Sequence, residues 1–313
     1  MSGTFWHQPV LLQEVIEALT PRSGGLYVDG TMGGAGHSRA ILAASAPDGR
    51  LIAIDQDDEA IAAGSLVLAS FAERTRIVKA NFAQLQQVVQ EVGWGAPQGI
   101  LLDIGVSSHQ LDEPERGFSY MQDAPLDMRM DRSQPFSARE LVNSYDAAQL
   151  TEIIYKYGEE KWAKRIAQMI VEARKQEPLE RTSQLVRAVK AAIPQGAREK
   201  DQHPAKRTFQ AIRIAVNDEL AVLERAIEAA ASALAPGGRL AVITFHSLED
   251  RIVKDRFRLL ATDCICPPKT PICICGHKAS VRLVNRKPII PTDEEIEANP
   301  RARSAKLRVA EKL

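Results

Sequence analysis

The sequence has no long apolar stretch, no excess of charge and no cysteine outside one short segment. No apolar run reaches the roughly 18 residues that suggest a membrane-spanning helix, so we expect no contact with a membrane. Lysine and arginine number 40, as do aspartate and glutamate, so any affinity for nucleic acid must come from a local basic surface. The first residues lack the basic start and apolar core of a signal peptide, which leads us to expect a cytoplasmic protein.

All four cysteines lie in one segment, as two C-x-C pairs: Cys264 with Cys266, and Cys273 with Cys275. This is not the pattern of a secreted disulfide framework. Four thiolates can hold a tetrahedral structural zinc ion or an iron–sulfur cluster. C-x-C is shorter than the usual C-x2-C knuckle, however, so free thiols in a loop and a redox disulfide remain alternatives.

A glycine-rich turn dominates the N-terminal part of the chain. An apolar predicted strand, 26–29, ends at Asp29, and Gly33 and Gly34 belong to four glycines within the next seven residues. Glycines let a backbone turn sharply and approach a ligand closely. A second predicted strand ends at Asp55, where a carboxylate can accept hydrogen bonds from both hydroxyls of a ribose. The pattern therefore predicts a nucleoside-cofactor site.

The acid before the glycines bears on which cofactor binds. Most NAD-binding proteins carry G-x-G-x-x-G, and this chain lacks the leading G-x-G. Asp29 would repel a pyrophosphate but can accept hydrogen bonds from a cationic amino acid moiety. The turn therefore favours S-adenosylmethionine over NAD, with a tight strand-to-helix turn that binds nothing as the alternative.

Strands and helices alternate up to about Leu111 and again after residue 219, which predicts an α/β fold with a largely parallel sheet. Such sheets usually close with an antiparallel last strand. The residues between are helical in character, so we predict a small helical domain inserted into the sheet domain. The predicted divisions are 1–112, 113–213 and 214–313.

The predicted insert is the basic part of the chain. Residues 155–213 contain fourteen Lys or Arg and seven Asp or Glu, which indicates a polyanion as partner. Lys206, Arg207 and Arg213 are the candidate phosphate contacts. A solvated helical face is the alternative.

Two further candidates follow predicted strands of the sheet, where α/β proteins bind ligands. Phe82 would stack on or flank an adenine, or else be a core aromatic. His246 would contact a ligand or make a structural hydrogen bond. After it, Ser247 and Asp250 are expected to cap a helix over 248–259.

Eight motifs, spread over nearly the whole chain, together resemble one family, the bacterial 16S ribosomal RNA cytosine-N4 methyltransferases (RsmH, also called MraW). They are Asp29–Ser38, Leu101–Ser108, Arg116–Ser119, Pro125–Met130, Tyr157–Glu160, Arg207–Ala211, Phe245–Val253 and Asn299–Ser304. The resemblance implies a class I S-adenosylmethionine-dependent methyltransferase fold, with a Rossmann-like seven-stranded sheet and an inserted helical domain that helps to hold RNA.

The resemblance also implies the reaction and its cofactor residues. The methyl group would pass from S-adenosylmethionine to the exocyclic N4 amine of a decoding-centre cytidine in 16S rRNA of the small ribosomal subunit. The cofactor would be bound by Ala35, Gly36, His37, Asp55, Phe82, Asp103 and Gln110. The cysteine segment has no role that the resemblance assigns.

The chemistry then suggests substrate residues. Many amino-methyltransferases carry an Asp/Asn/Ser-Pro-Pro-aromatic motif after the fourth strand, whereas this chain has Asp103-Ile-Gly-Val-Ser-Ser108. Asp103, Ser107 and Ser108 are the candidate catalytic residues, although the serines could simply cap a helix, and His109 is a more remote candidate base. Phe118, Tyr120 and Arg129 are candidate RNA contacts around a flipped base, in a loop that could instead pack the insert.

Two other functions compete with RNA methylation. An NAD-dependent oxidoreductase would use the glycine turn and Asp55, but no Tyr-Lys or His-Asp constellation is evident. A non-enzymatic RNA-binding assembly factor would use the basic insert alone. The sequence leaves a monomer and a homodimer equally open.

Overall fold

A computed structural model describes residues 9–199, 202–268, 270 and 272–313, without the side chain of Ser108. The chain forms two compact units. The first contains the described residues up to Gly105 together with Leu220–Leu313, and the second contains Val106–Glu219. The interruption of the first unit thus begins earlier and ends later than the 113–213 expected from the sequence.

The first unit contains a seven-stranded sheet of order β3-β2-β1-β4-β5-β7-β6. Strands β3, β2, β1, β4 and β5 are parallel, and β7 runs antiparallel to both of its neighbours. The predicted Rossmann-like sheet with an antiparallel last strand is confirmed. Its strands are β1 (Leu26–Asp29), β2 (Arg50–Asp55), β3 (Thr75–Lys79), β4 (Gly99–Asp103), β5 (Arg239–Thr244), β6 (Val281–Leu283) and β7 (Lys306–Lys312).

The helices of the described residues are α1 (Leu12–Leu19), α2 (Gly36–Ala44), α3 (Asp58–Val67), α4 (Leu85–Val92), α5 (Ser108–Asp112), α6 (Ala138–Ser144), α7 (Ala147–Gly158), α8 (Ala163–Gln176), α9 (Thr182–Ala192), α10 (Lys206–Asn217), α11 (Glu219–Ala233), α12 (Ser247–Leu260) and α13 (Asp293–Ala298). Among them, none combines the length and the apolar character that crossing a bilayer requires.

The central strands β1, β2, β4 and β5 are buried on both faces because they are apolar over most of their length. Val28 and Ile100 point to one face, where they pack with residues of α4 and α11. Tyr27 and Leu101 point to the other, where they pack with residues of α1 and α2. This alternation follows from the two-residue period of a strand and makes three layers, helix–sheet–helix.

The second unit is helical, with one apolar core shared by α6–α10 and the loop before α6. That loop is anchored by Arg116, which is fully buried and whose Nη2 donates to the carbonyls of Arg129, at 3.0 Å, and Met130, at 3.2 Å. Gly117 permits the turn, since it has φ +69° and an added Cβ would lie 2.2 Å from the carbonyl oxygen of Pro125.

One expectation for local structure was wrong. Helix α12 is capped by His246 with Glu249 and not by Ser247 with Asp250, because Asp250 instead receives hydrogen bonds from β7. Near the C-terminus, residues Asp293–Ala298 form α13. Its first turn carries three acidic residues, which the partial positive charge of a helix N-terminus stabilises.

Candidate active site

The carboxyl ends of β1, β2 and β4 carry the three acids that the sequence singled out. Asp29 ends β1, Asp55 ends β2 and Asp103 ends β4. The chain order reverses between β1 and β4, since β2 and β3 lie on one side of β1 and β4 and β5 on the other. In open α/β sheets such a reversal leaves a crevice beyond the strand ends, and that crevice is where ligands bind.

The glycine turn is held against the end of β2. Gly33 has φ +49°, and its N–H donates to Asp55 Oδ2 at 2.8 Å. Ala35 is also left-handed, with φ 60°, and precedes α2, which begins at Gly36. Gly34 is exposed, and a Cβ added there would meet no atom within 4 Å. The turn therefore leaves its backbone at Gly34 open to solvent.

Asp55 joins the turn to β2 and keeps capacity for a ligand. Its Oδ1 accepts from the backbone N–H of Asp57 at 3.0 Å, and its Oδ2 accepts from Gly33. Burial raises the pKa of this carboxyl above its usual value. A carboxylate has about four lone-pair sites, so an additional donor, such as a hydroxyl of a ribose, can still be accommodated.

Asp29 is buried and bonded inward. Ser38 Oγ donates to its Oδ2 at 2.7 Å, and the N–H of Thr31 donates to its Oδ1 at 3.1 Å. Desolvation by burial raises the pKa of Asp29 to about 6, against the opposing effect of the hydrogen bond from Ser38. Asp29 thus fixes the start of the glycine turn and adds negative charge beneath it.

Asp103 is the most perturbed acid of the site. Its N–H donates to Thr31 Oγ1 at 2.7 Å, which fixes the end of β4 to the glycine turn. Its Oδ1 is buried and has no hydrogen-bond partner among the described residues. Desolvation by burial, with smaller contributions from Asp29 and Glu249, raises the pKa of Asp103 to about 8.

His37 lies beside Asp103. The ring is 6% exposed, with Nε2 at 3.0 Å from the carbonyl oxygen of Val10 and Nδ1 at 3.7 Å from Asp103 Oδ2. A carbonyl can only accept, so we assign the ring proton to Nε2. Nδ1 then faces the Asp103 carboxyl group as an acceptor.

His246 has the structural role that the sequence left open. Its Nδ1 accepts from the N–H of Glu249 at 3.4 Å, and its Nε2 lies 2.9 Å from Glu249 Oε1. Glu249 is fully buried, and its Oε2 accepts from the N–H groups of Phe245 and His246. Sequence reasoning missed Glu249 and Thr31, although an acid three residues after the cap was a visible capping-box signal.

Phe82 opens a short turn after β3, capped by Asn81. Its ring is partly buried and packs against the core on the α4 face of the sheet. The placement gives the ring a core contact and leaves adenine binding a prediction.

In the second unit, Ser107 and Gln110 are partners of each other. Ser107 Oγ accepts from the N–H of Gln110 at 3.2 Å, and Gln110 Oε1 accepts from the N–H of Ser107 at 3.1 Å. This capping box is the structural alternative foreseen for the serines. His109 is exposed, and the side chain of Ser108 lies outside the described atoms.

Two of the predicted RNA contacts are engaged within the loop itself. Phe118 is 6% exposed and belongs to the core of the second unit, so its position supports the packing alternative and not a base-covering role. Arg129 donates two hydrogen bonds to the carboxylate of Asp127, from Nε at 2.6 Å and from Nη2 at 3.0 Å. Tyr120 is partly exposed and stacks on His203, with ring centroids 4.7 Å apart.

The three basic candidates on α10 differ in availability. Lys206 is exposed at the start of the helix. Arg207 forms an ion pair with Glu199 at 2.8 Å. Arg213 makes two 2.8 Å bonds to Glu219, and their side chains are 16% and 6% exposed. The phosphate role expected for Arg213 is therefore not supported, because its guanidinium is committed to an internal partner.

A shallow concave surface lies near Arg207, lined by residues that include Lys161, Trp162, Arg198 and His203. Burial, helped by the charge of Lys190, lowers the pKa of His203. The surface thus combines basic and aromatic side chains with two acids, Glu160 and Glu199.

Comparison with known proteins gives consistent matches over the whole chain. A family model described as the MraW methylase family matches residues 4–313. A protein of Symbiobacterium thermophilum named ribosomal RNA small subunit methyltransferase H is 57% identical over 309 residues, which is 99% of this chain and 97% of that protein. The protein of the same name from Citrifermentans bemidjiense is 58% identical over 309 residues, 99% of each chain.

Proposed function

The chain belongs to the MraW methylase family, and we propose that it transfers a methyl group from S-adenosylmethionine to the exocyclic N4 amine of a cytidine in the decoding centre of 16S rRNA. Relatives more than half identical over their full length carry names that state methylation of small-subunit ribosomal RNA. The cytosine N4 position and the decoding centre come from the resemblance of the motifs.

The observation that supports this cofactor best is the Asp103 carboxyl group, whose Oδ1 is buried. Among the described residues this Oδ1 has no hydrogen-bond partner, and the pKa of the carboxyl group is raised to about 8, so the carboxylate lacks a compensating positive charge. A sulfonium ion with an ammonium group supplies that charge. NAD would instead bring a pyrophosphate toward the carboxylates of Asp29 and Asp55, where like charges repel. The donor set therefore fits a cationic nucleoside and opposes the oxidoreductase alternative.

The remaining contacts follow from the same geometry. Asp55 would accept a hydrogen bond from a ribose hydroxyl, and the exposed backbone at Gly34 would let the cofactor approach closely. His37 would keep the Asp103 carboxyl oriented. Gln110 and Phe82 stay candidate cofactor contacts, and Ser107 and Ser108 stay candidate contacts of the cytosine.

The reaction needs an acceptor for one proton. S-adenosylmethionine supplies the methyl group: the cytosine N4 lone pair forms the new N–C bond while the C–S electrons remain on sulfur. The N4 lone pair is conjugated with the ring, so alignment supplies much of the rate, roughly 7–11 kcal/mol in well-oriented reactions. Asp103, when ionised, would accept a hydrogen bond from the amine and then its proton.

The second unit would hold the RNA. Positive charge comes from Lys206, Lys161 and Arg198. It attracts RNA phosphates whatever the base sequence of the RNA. The partly exposed Tyr120 ring, stacked on His203, offers an aromatic surface for a base. The same surface would serve a non-enzymatic assembly factor, which makes cofactor binding the deciding property.

Calorimetric titration with S-adenosylmethionine and with NAD separates the candidates. We expect binding of the former only, weakened by Asp55→Ala. Asp58→Ala is the matched control, because Asp58 lies three residues later with its side chain 73% exposed. No heat with S-adenosylmethionine would end the proposal, and unchanged affinity in Asp55→Ala would remove the ribose contact. Mass spectrometry of 16S rRNA from a strain without the gene tests the target: the N4-methyl group should be missing.

A further inference from the structure

The cysteine segment lies away from the glycine turn along the chain, between α12 and the edge strand β6. Its two ends are held together at the base. The N–H of Ser280 donates to the carbonyl of Leu260 at 2.8 Å, the N–H of Ala279 donates to Asp263 Oδ1 at 3.3 Å, and His277 Nε2 lies 3.0 Å from the carbonyl oxygen of Leu259. The segment is therefore a loop closed at a defined neck.

The four sulfur atoms converge within this loop. All of them lie within 4.8 Å of one another. Cys273 Sγ is 3.4 Å from Cys264, 3.5 Å from Cys275 and 4.0 Å from Cys266, and Cys275 is 3.8 Å from Cys264. Sulfurs at about 2.3 Å from one ion, in tetrahedral directions, are about 3.8 Å apart. The observed separations bracket that value.

The alternatives fit these distances less well. A disulfide requires about 2.05 Å between sulfurs, and all four cysteines are free thiols. An iron–sulfur cluster places several iron and sulfide atoms between its ligands, so it would hold the thiolates farther apart than a single ion does. Unligated thiols have no reason to converge four at a time on one point.

The large apolar side chains that the structure describes in this loop are exposed. Ile265, Ile272 and Ile274, which alternate with the cysteines, are 51%, 76% and 85% exposed. Burial of apolar side chains therefore cannot hold the loop in shape. Small segments without a core are commonly held by a metal ion.

We propose that Cys264, Cys266, Cys273 and Cys275 bind one structural zinc ion as a tetrahedral thiolate site. Zinc binding to four thiols releases four protons, Zn²⁺ + 4 RSH → [Zn(SR)₄]²⁻ + 4 H⁺, and needs no oxidant or reductant. The ion fixes the loop that leads into β6. It lies outside the acids that the methyl transfer uses, so the site is structural.

Metal analysis of the full chain, expressed in zinc-supplemented medium and purified under reducing conditions without chelator, tests the assignment. We expect about one zinc per chain in the wild type and less than a tenth of that in Cys273→Ser, whose sulfur contacts the other three. His277→Ala is the control, since His277 belongs to the same loop but bonds to a backbone carbonyl. It should keep its zinc, and loss of zinc there would refute a ligand set of four thiolates.

Cobalt substitution gives a readout independent of activity and of folding yield. Apo protein loaded with Co²⁺ should show thiolate-to-cobalt charge-transfer bands and the intense d–d bands of tetrahedral cobalt, all absent in Cys273→Ser. Circular dichroism of both proteins establishes that the variant is folded. Wild type without bound metal and with four thiols that react freely would overturn the proposal, as would iron at one per chain or a disulfide in the freshly purified protein.

Discussion

Replacing Asp103 by Asn should stabilise the unliganded protein and change the way its stability depends on pH. The folded-state pKa of Asp103 is raised to about 8, whereas an unfolded aspartate titrates near about 3.9. Between these values the folded chain keeps a proton that the unfolded chain has lost. Stability therefore falls as pH rises from about 4 to about 8, and Asn removes this dependence.

The size of the effect follows from the shift. A difference of one bound proton between the folded and unfolded states changes the free energy of unfolding by about 1.4 kcal/mol per pH unit. Between pH 6 and pH 8 the wild type can therefore lose about 2.7 kcal/mol at most through Asp103. The Asp103 side chain is 26% exposed, so water screens part of this penalty. We expect the wild type to lose about 1–2 kcal/mol more than Asp103→Asn between pH 6 and pH 8.

Urea unfolding of both proteins at pH 6, 7 and 8 measures the difference. Asp48→Asn is the control, because Asp48 is exposed and hydrogen bonds from Ser23 and Gly24 lower its pKa, so its contribution is constant in this range. Parallel stability curves for wild type and Asp103→Asn would refute the assigned burial penalty. The same variant should bind S-adenosylmethionine about tenfold more weakly, because it has lost the charge that pairs with the sulfonium.

Other substitutions test other parts of the account. Gly34→Ala should change the free energy of unfolding by less than about 0.5 kcal/mol relative to the wild type, since a Cβ there has space. It should nevertheless weaken cofactor binding measured by calorimetry, and unchanged affinity would place the cofactor elsewhere. Arg213→Ala should lower the free energy of unfolding, measured in urea, by about 3–5 kcal/mol, because it leaves the buried Glu219 without its ion-pair partner. A change below about 1 kcal/mol would contradict the structural role of Arg213. Lys206→Glu should weaken binding to small-subunit RNA in a filter assay and reduce its salt dependence, with cofactor affinity unchanged; equal RNA affinity would remove Lys206 from the interface.

The sheet could be predicted from sequence because its strands are short apolar runs with breaks between them. The run 99–102 is apolar, and these residues of β4 are buried on both faces. Asp29, Asp55 and Asp103 could be placed at one edge because the carboxyl ends of parallel strands share it. Their protonation could not be predicted, since it depends on desolvation and on neighbours distant in sequence, such as Glu249.

The insert was harder to interpret because charge and aromaticity do not reveal a side chain's partner. Phe118 and Arg213 have the residue types of an RNA contact, but one is in the core and the other is bonded to Glu219. Composition gave no sign of either partner. The two C-x-C pairs of the cysteines, by contrast, suggested a metal site but left free thiols and a disulfide open, and the fold of the loop supplied the distances.

The most direct test is a single-turnover methylation by the purified protein. Small ribosomal subunits from a strain without the gene are mixed with the protein and methyl-labelled S-adenosylmethionine, and the 16S rRNA is digested and its nucleosides are identified by mass spectrometry. The account predicts about one label per subunit, on cytidine N4 in a decoding-centre fragment, and little or none with Asp103→Asn. Label on a different nucleoside, or no label with the wild type, would contradict it.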